Sequence, residues 1–331
     1  MADTETDATG PTISFVLATY ERPDDVAEAV ASILDQNYRP IEIHVLSHSA
    51  GETAELFTDG GKFDMDCVRY YQLDEHMGGP RTRNRGYEHA EGDILVTIDD
   101  DAVLHNDDAA HEIVRLFDEH DDVGILSFQC RDYDTGTVNH DETPDPPELS
   151  MSPRQTYRAT NFTGGGNAIR RTVIDDVGAF PERFEYGFEE MDLSLRAHEQ
   201  GYDVLYTPNV VVRHKKSPEG RKTPTSVLEH LVENRIRLTI RNLPVRYVVC
   251  STILWAVYGL LTMRSFDSFR TILGRLYRDR SELRASRTVV SQRTIDRIKS
   301  RKTMLYWWWY GPNPKRIFGP NGDLRRLFWE L

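Results

Sequence analysis

Three consecutive carboxylates, Asp99, Asp100 and Asp101, follow the apolar Val96 and Ile98 in the stretch VTIDDDAV. Neighbouring carboxylates repel, and one drawn out of water needs a partner or takes up a proton. A helix cap or a turn uses a single Asp, so three in a row ask for a cation. Mg²⁺ or Mn²⁺ takes oxygen ligands and commonly joins one or two carboxylates to the phosphates of a substrate. Four other stretches hold groups that could act with them. They are TYERP (19–23), TRNRG (82–86), FEEMD (188–192) and RHKKS (213–217) with His214. Each has a plainer reading. Arg81, Arg83 and Arg85 could form an exposed basic edge, Asp192 and Arg196 could pair across one helical turn, and Glu189 could complement a helix dipole. The glycines of TGGGN (163–167) let a backbone approach a ligand closely, or make a hinge or bulge.

These groups need elements to position them. TISFVLA (12–18), IEIHVL (41–46), CVRYYQL (67–73), DILVTI (93–98) and VGILSFQ (123–129) are apolar runs of strand length. Helical patterns separate them: one from Pro23, a short one near 51–58, one led into by PRTRNRGYEHA, and one over 107–119. That alternation predicts an α/β fold with a mostly parallel sheet covered on both faces, which binds its ligand beyond the carboxyl ends of the strands. Both TYER and the aspartates lie at such ends. Residues 131–158, rich in Asp, Pro, Thr and Ser, read as a long loop. A short helix from Thr172, a helix over 189–200 stopped by Gly201, and strands near 203–207 and 210–214 complete the unit.

Composition divides the chain. Its net charge is −13, but residues 1–209 hold 15 Lys and Arg against 44 Asp and Glu, and residues 210–331 hold 25 against 9. The first half is −29 and the second +16. An acidic surface of that kind is compatible with a salt-adapted cytoplasm. Cys67, Cys130 and Cys250 have no CxxC spacing and read as reduced thiols. The polar, acidic N-terminus lacks a signal-peptide pattern, so residues 1–11 are expected to be a loose tail. Beyond Lys216 a basic amphipathic helix is predicted over 225–242. Residues 247–263 then carry no charge for 17 positions, between Arg246 and Arg264. That is the lower limit for a membrane span. With the basic charge and the aromatics of LYWWWYG (305–311), the expectation is shallow attachment to anionic lipid at the cytoplasmic face of the cell membrane. Nucleic acid is not expected as a partner, because the −29 half repels phosphate and no nucleic-acid motif is visible.

SFVLATYERP, TRNRG, ILVTIDDDAV, GFEEMDLSLRAHEQG and VVRHKKS, in that order, resemble family 2 inverting glycosyltransferases of the GT-A fold over residues 12–216. The resemblance implies a Rossmann-like nucleotide-sugar domain there, and the basic helical patterns beyond it are expected to form a helical, membrane-associating region over 217–331. It implies nucleotide contacts from Thr19, Tyr20, Glu21 and Arg83, with Asn84 and Gly86 shaping a turn. It implies a divalent metal, Mn²⁺ or Mg²⁺, on Asp99 and Asp101 with His214 as a further ligand, and Asp100 touching ribose or sugar. The family's general base falls on Glu190, with Asp192 and then Glu189 as alternatives, and TGGGNAIRR would run beneath the sugar and acceptor, where Arg170 and Arg171 are phosphate contacts or surface groups. Relatives often end the second strand in Asp residues that contact the base; here Ser47 and His48 stand in that place, which leaves the nucleotide open. The implied donor is a nucleoside-diphosphate sugar; the expected position at the membrane face points to a lipid-linked glycan as acceptor, with a wall or surface polysaccharide as the alternative. Two other readings compete. A sugar nucleotidyltransferase would carry a glycine-rich basic loop after the first strand, which ATYERPDD lacks. A non-enzymatic protein could use the basic half to grip nucleic acid or membrane.

Overall fold

The structure is a computed structural model that describes residues 10–301 except 49–50, 76, 145, 148–150 and 219–222. Strands β1 (Ile13–Thr19), β2 (Ile41–Ser47), β3 (Val68–Gln72) and β4 (Ile94–Ile98) alternate with α1 (Pro23–Leu34), the single turn α2 (Glu52–Glu55) and α3 (Gly79–His89). The chain continues through β5 (Ala102–Leu104), α4 (Ala109–Glu119), β6 (Val123–Asp132), β7 (Tyr157–Ala159), β8 (Gly166–Arg170), α5 (Arg171–Val177), α6 (Glu189–Gln200) and β9 (Asp203–His214). One sheet contains all nine strands, in the order β3-β2-β1-β4-β8-β6-β9-β5, with β7 also on β9. β1 is buried along its length because helices cover both sheet faces.

The parallel half is the one read from the sequence. β1 pairs in parallel with β2 from Ile13↔Ile41 to Thr19↔Ser47, and with β4 from Ile13↔Ile94 to Val16↔Thr97. The other half is mixed. β8 inserts antiparallel between β4 and β6, with Ile98 opposite Gly166 and Ser127 opposite Asn167. Of the glycine segment, Gly164 and Gly165 form the turn before β8 and Gly166 enters the sheet. A Cβ on Gly166 would meet Val212 Cγ2 at 2.8 Å, so glycine is needed for strand packing there. The two expected strands near 203–214 are one strand, β9, whose register shifts where Phe128 pairs with Thr207 and Gln129 with Val211. Pro208, Asn209 and Val210 occupy the extra length of that bulge.

TRNRG forms the body of α3 and not a turn. Asn84 bonds the Phe180 backbone through both its amide groups, at 2.9 and 3.0 Å. Gly86 lets α3 approach the sheet, since a Cβ there would lie 2.2 Å from Val16 Cγ1. α6 starts at Phe188 in a left-handed conformation (φ 71°) and ends at Gly201 (φ 101°), the stop expected from sequence.

Helices α7 (Pro224–Asn242), α8 (Val245–Met263), α9 (Phe266–Arg278), α10 (Arg280–Ala285) and α11 (Gln292–Ser300) follow. Several of their charges point inward, contrary to the simple amphipathic reading of 225–242. Arg237 is buried and pairs with Glu233 at 2.5 Å and Asp279 at 2.6 Å. The buried Arg235 guanidinium lies 4.8 Å from the Phe188 ring centre and 4.9 Å from that of Trp255. A single amphipathic pattern fails because α7 is covered by α6 on one side and by α8 and α9 on others. Arg301 clamps the end of this region to the first unit through Asp203 at 2.6 and 2.7 Å. The aromatic run 305–311 lies outside the described residues.

Candidate active site

The acidic triplet sits where β4 ends, and its three side chains have different partners. Asp99 is half-buried and pairs with Arg83 Nη2 at 2.8 Å. Asp100 is buried against Arg22 Nη1 at 2.8 Å, and burial pushes it up to about 6 despite Arg22. Asp101 is buried and accepts from His214 Nε2 at 3.0 Å and from the Ser217 amide at 2.8 Å. Its burial would raise its pKa, but the bonds from His214 and the charge of Arg22 hold it below the usual carboxylate range.

His214 ends β9, one strand from the triplet, because β5 carries Ala102 into register with His214. Its other nitrogen, Nδ1, lies 3.0 Å from Glu142 Oε1. Burial disfavours the charged ring, yet the bonds to Asp101 and Glu142 outweigh it and raise His214 to about 10. The triplet and His214 thus carry a proton where a cation would bind. Ligand atoms of Asp99, Asp101 and His214 all lie within 4.8 Å of one another. Two hard carboxylate oxygens and one imidazole suit Mn²⁺ or Mg²⁺, with Mn²⁺ better matched to the nitrogen. An ion there must displace the His214 proton.

The cleft beside this cluster is lined by Arg83, Asp99, Asp141, Glu142, the glycines 164 and 165, and Glu189 and Glu190. Arg83 Nη1 lies 3.9 Å from Glu189 and 3.9 Å from Glu190. The three surrounding carboxylates outweigh its burial and raise Arg83 above its ordinary value. Glu189 is buried and Glu190 opens further to the cleft. Burial pushes both upward, and the charge of Glu190 pushes Glu189 further, well above the ordinary range. The charge of Arg83 opposes both shifts. Gly164 shapes this wall, since a Cβ on it would sit 2.5 Å from Glu190 Oε1.

Asp192 does not belong to this group. Its carboxylate is completely buried and takes Arg196 at 2.8 Å, Arg241 at 2.9 Å and Asn242 at 2.6 Å. Burial opposes its charge, but these partners hold its pKa low. Asp192 is thus an anchor between α6 and α7, and the structure removes it from the candidates for a base. It leaves α6 about 200° round the helix from Glu190, toward Arg241 and Asn242 of α7.

A smaller pocket adjoins the triplet, lined by Ala18, Thr19, Tyr20, Arg22, His48, Gly79, Thr82 and Asp100. Thr19 and Tyr20 lie where the sequence puts nucleotide contacts. Glu21 is exposed and outside that lining; its positive φ of 54° turns the chain so that Tyr20 and Arg22 face inward. Ser47 is buried at the end of β2 and contributes less than His48, whose Nε2 is 2.9 Å from Thr82 Oγ1. Arg170 and Arg171 bond backbone carbonyls at 123 and 92 and are structural. Sequence reasoning passed over Arg22 and Glu142. Arg22 stands in the TYER stretch already placed at a strand's carboxyl end, which was its only signal; Glu142 carries none, since it sits in a loop full of acids.

Residues 14–178 match the family described as Glycosyl transferase family 2. The chain is 26% identical over 227 residues to the glucosyl-dolichyl phosphate glucuronosyltransferase of Haloferax volcanii, an alignment covering 61% of this chain and 69% of that protein. S. aureus TarS 1-349 in complex with UDP-GlcNAc superposes with a TM-score of 0.57 at 14% identity, over 90% of this chain and 87% of that one. The mannosyltransferase PcManGT from Pyrobaculum calidifontis, in complex with GDP-Man and Mn²⁺, gives 0.52 at 15% identity, over 94% and 88%. At such identities the two structures establish a shared GT-A fold.

Proposed function

Residues 14–178 make this chain a family 2 glycosyltransferase, and on that premise we propose that it moves a sugar, with inversion, from a nucleoside diphosphate to a hydroxyl of a lipid-linked glycan. The observation that carries this reading is the Glu190 carboxylate, held in the cleft by Arg83 beside Asp99. In an inverting transfer the acceptor oxygen attacks the anomeric carbon as the bond from that carbon to the diphosphate oxygen breaks. Glu190 takes the acceptor proton, and the nucleoside diphosphate leaves with the bonding electrons. Burial raises the Glu190 carboxyl above its ordinary value, and the charge of Arg83 opposes that shift. Arg83 and Arg22 face the side on which diphosphate charge grows.

Asp99, Asp101 and His214 would hold the divalent ion, with Mn²⁺ favoured by the donor set. When bound, that ion supplies charge neutralisation at the diphosphate. Thr19, Tyr20 and Asp100 line the pocket proposed for the nucleoside, with His48 in place of the expected acid. The nucleotides named with the two similar structures differ, so the base remains a property of this pocket's own chemistry.

The lipid-linked acceptor is supported by the name of the Haloferax relative and by α8. That helix is long and apolar enough to cross a membrane. Tyr247, Ser251, Trp255 and Gly259 face inward at four-residue spacing, and Val249, Ile253, Val257 and Leu261 are exposed. One-sided packing favours a helix lying on the membrane over one crossing it. Exposed Phe266 and Tyr277 on α9 extend the apolar area, and the cytoplasmic face is its proposed location.

The test is release of nucleoside diphosphate from a panel of nucleotide sugars with Mn²⁺ or Mg²⁺, with and without a polyprenyl-phosphate-linked sugar. Glu190→Gln should lower turnover by about 10²–10⁴-fold while donor binding persists. Wild-type turnover in that variant would remove Glu190 from the mechanism.

A further inference from the structure

We propose that a basic cavity formed by Arg131, His140 and Arg154, outside the catalytic cleft, binds a phosphate-class oxyanion. The surrounding charge makes this cavity unusual. Residues 1–209 hold nearly three acids for each base, yet among the described residues none of the ten that line the cavity is acidic. Two of them are arginines and one is His140.

The sheet concentrates this charge. Arg131 on β6 and Arg213 on β9 are register partners, so both side chains leave the same face of neighbouring strands. Like charges placed opposite each other destabilise a sheet unless something between them is negative. Gly136 lies on the cavity wall, and a Cβ there would be 3.8 Å from Arg213 Nη2, which puts the second guanidinium directly behind that wall. Arg213 Nε is buried and has no hydrogen-bond partner among the described residues. His105 next to this pair is held below its ordinary pKa, by burial first and then by Arg213 and Arg131.

The cavity is also braced. Arg131 Nε donates to Gln129 Oε1 at 2.7 Å, which fixes the plane of the guanidinium. Gln129 is tied in turn to the Pro153 carbonyl at 2.7 Å and the Tyr206 hydroxyl at 3.1 Å. Planar, oriented guanidinium groups match the paired oxygens of phosphate better than point charges do. A 3-10 turn, His140–Glu142, forms the partition from the cleft: His140 lines the cavity, and Asp141 and Glu142 line the cleft. The occupant is either free phosphate or the phosphate of a phosphorylated sugar, and the site stands whichever reaction the cleft performs.

Calorimetric titration of the full chain with inorganic phosphate, at constant ionic strength, tests the proposal. Saturable binding is expected, weakened by about tenfold or more in Arg131→Gln/Arg154→Gln and unchanged in Arg69→Gln, an exposed arginine on β3. Arg154 is exposed, so Arg154→Gln alone keeps the test valid if the double variant folds poorly. A parallel titration with a sugar 1-phosphate separates the sources. Equal affinities favour free phosphate, and a tenfold preference for the ester favours a phosphorylated sugar. Absence of saturable binding, or wild-type affinity in the arginine variants, overturns the proposal.

Discussion

Replacing Gly164 by Ala should slow the chemical step without unfolding the protein. The added Cβ would stand 2.5 Å from Glu190 Oε1, where ordinary contact begins at 3.4 Å. The carboxylate must retreat by about 0.9 Å, because the backbone of β8 that follows is fixed by pairing on both sides. A misplacement of about 1 Å in a reacting group costs on the order of 10²-fold in rate, or about 2.7 kcal/mol of barrier. The backbone at 164 is not in the left-handed region, so alanine adds no strain of its own. Arg83 Nη1 would be 3.6 Å from the new methyl, an ordinary contact. Donor binding should therefore persist while kcat falls. Single-turnover release of nucleoside diphosphate, with donor affinity and melting temperature measured alongside, reads all three. Glu190→Asp shortens the side chain by one methylene, so Gly164→Ala should cost much less in that background. If Gly164→Ala turns over within threefold of wild type while Glu190→Gln is inactive, the position of this carboxylate does not limit the reaction and the reasoning fails.

Other outcomes follow from the same geometry. Asp192→Asn should cost about 3–5 kcal/mol, since it leaves Arg196 and Arg241 without their buried counter-charge; urea denaturation measures it. The folded-state pKa of Asp192 is depressed, so its contribution is fully present above the unfolded value near ~3.9. That contribution is lost as pH falls through the lower folded value, and Asp192→Asn should flatten this part of the acid-stability curve. Chelation of divalent ions should abolish turnover and Mn²⁺ should restore it, whereas Asp101→Asn should remove Mn²⁺ binding in a direct titration. The protein should co-sediment with anionic vesicles, and Ile253→Glu/Leu261→Glu should release it; equal recovery without vesicles would refute a membrane-facing α8.

Much of the fold was legible because it is written in local periodicity. The parallel strands β1, β2 and β4 are apolar runs, α1 opens on Pro23 with Asp24 and Asp25 in its first turn, and Gly201 ends α6. The triplet was legible as charge that needs a positive partner, since three adjacent carboxylates at the end of a buried strand repel one another until positive charge joins them, and the fold brings Arg22, Arg83 and His214 to it. What the local pattern could not carry was the mixed half of the sheet. Gly164 and Gly165 do form a turn, but the insertion of β8, from Gly166, between β4 and β6 depends on partners 40 to 76 residues away in the chain.

The roles within FEEMD show the same division. The sequence places three acids at the start of one helix, and the family resemblance puts the base on Glu190, ahead of Asp192 and then Glu189. Only packing separated them, because Arg241 and Asn242 approach Asp192 from a helix fifty residues later, while Arg83 approaches the two glutamates from α3. Arg235 and Arg237 likewise counted as surface charge until α8 and α9 covered them. Residue type and spacing determine which groups can ionise, ligate or pack. Which of them face one another, and so which charge is neutralised and which is left for a ligand, is decided by contacts across distances the local sequence does not encode.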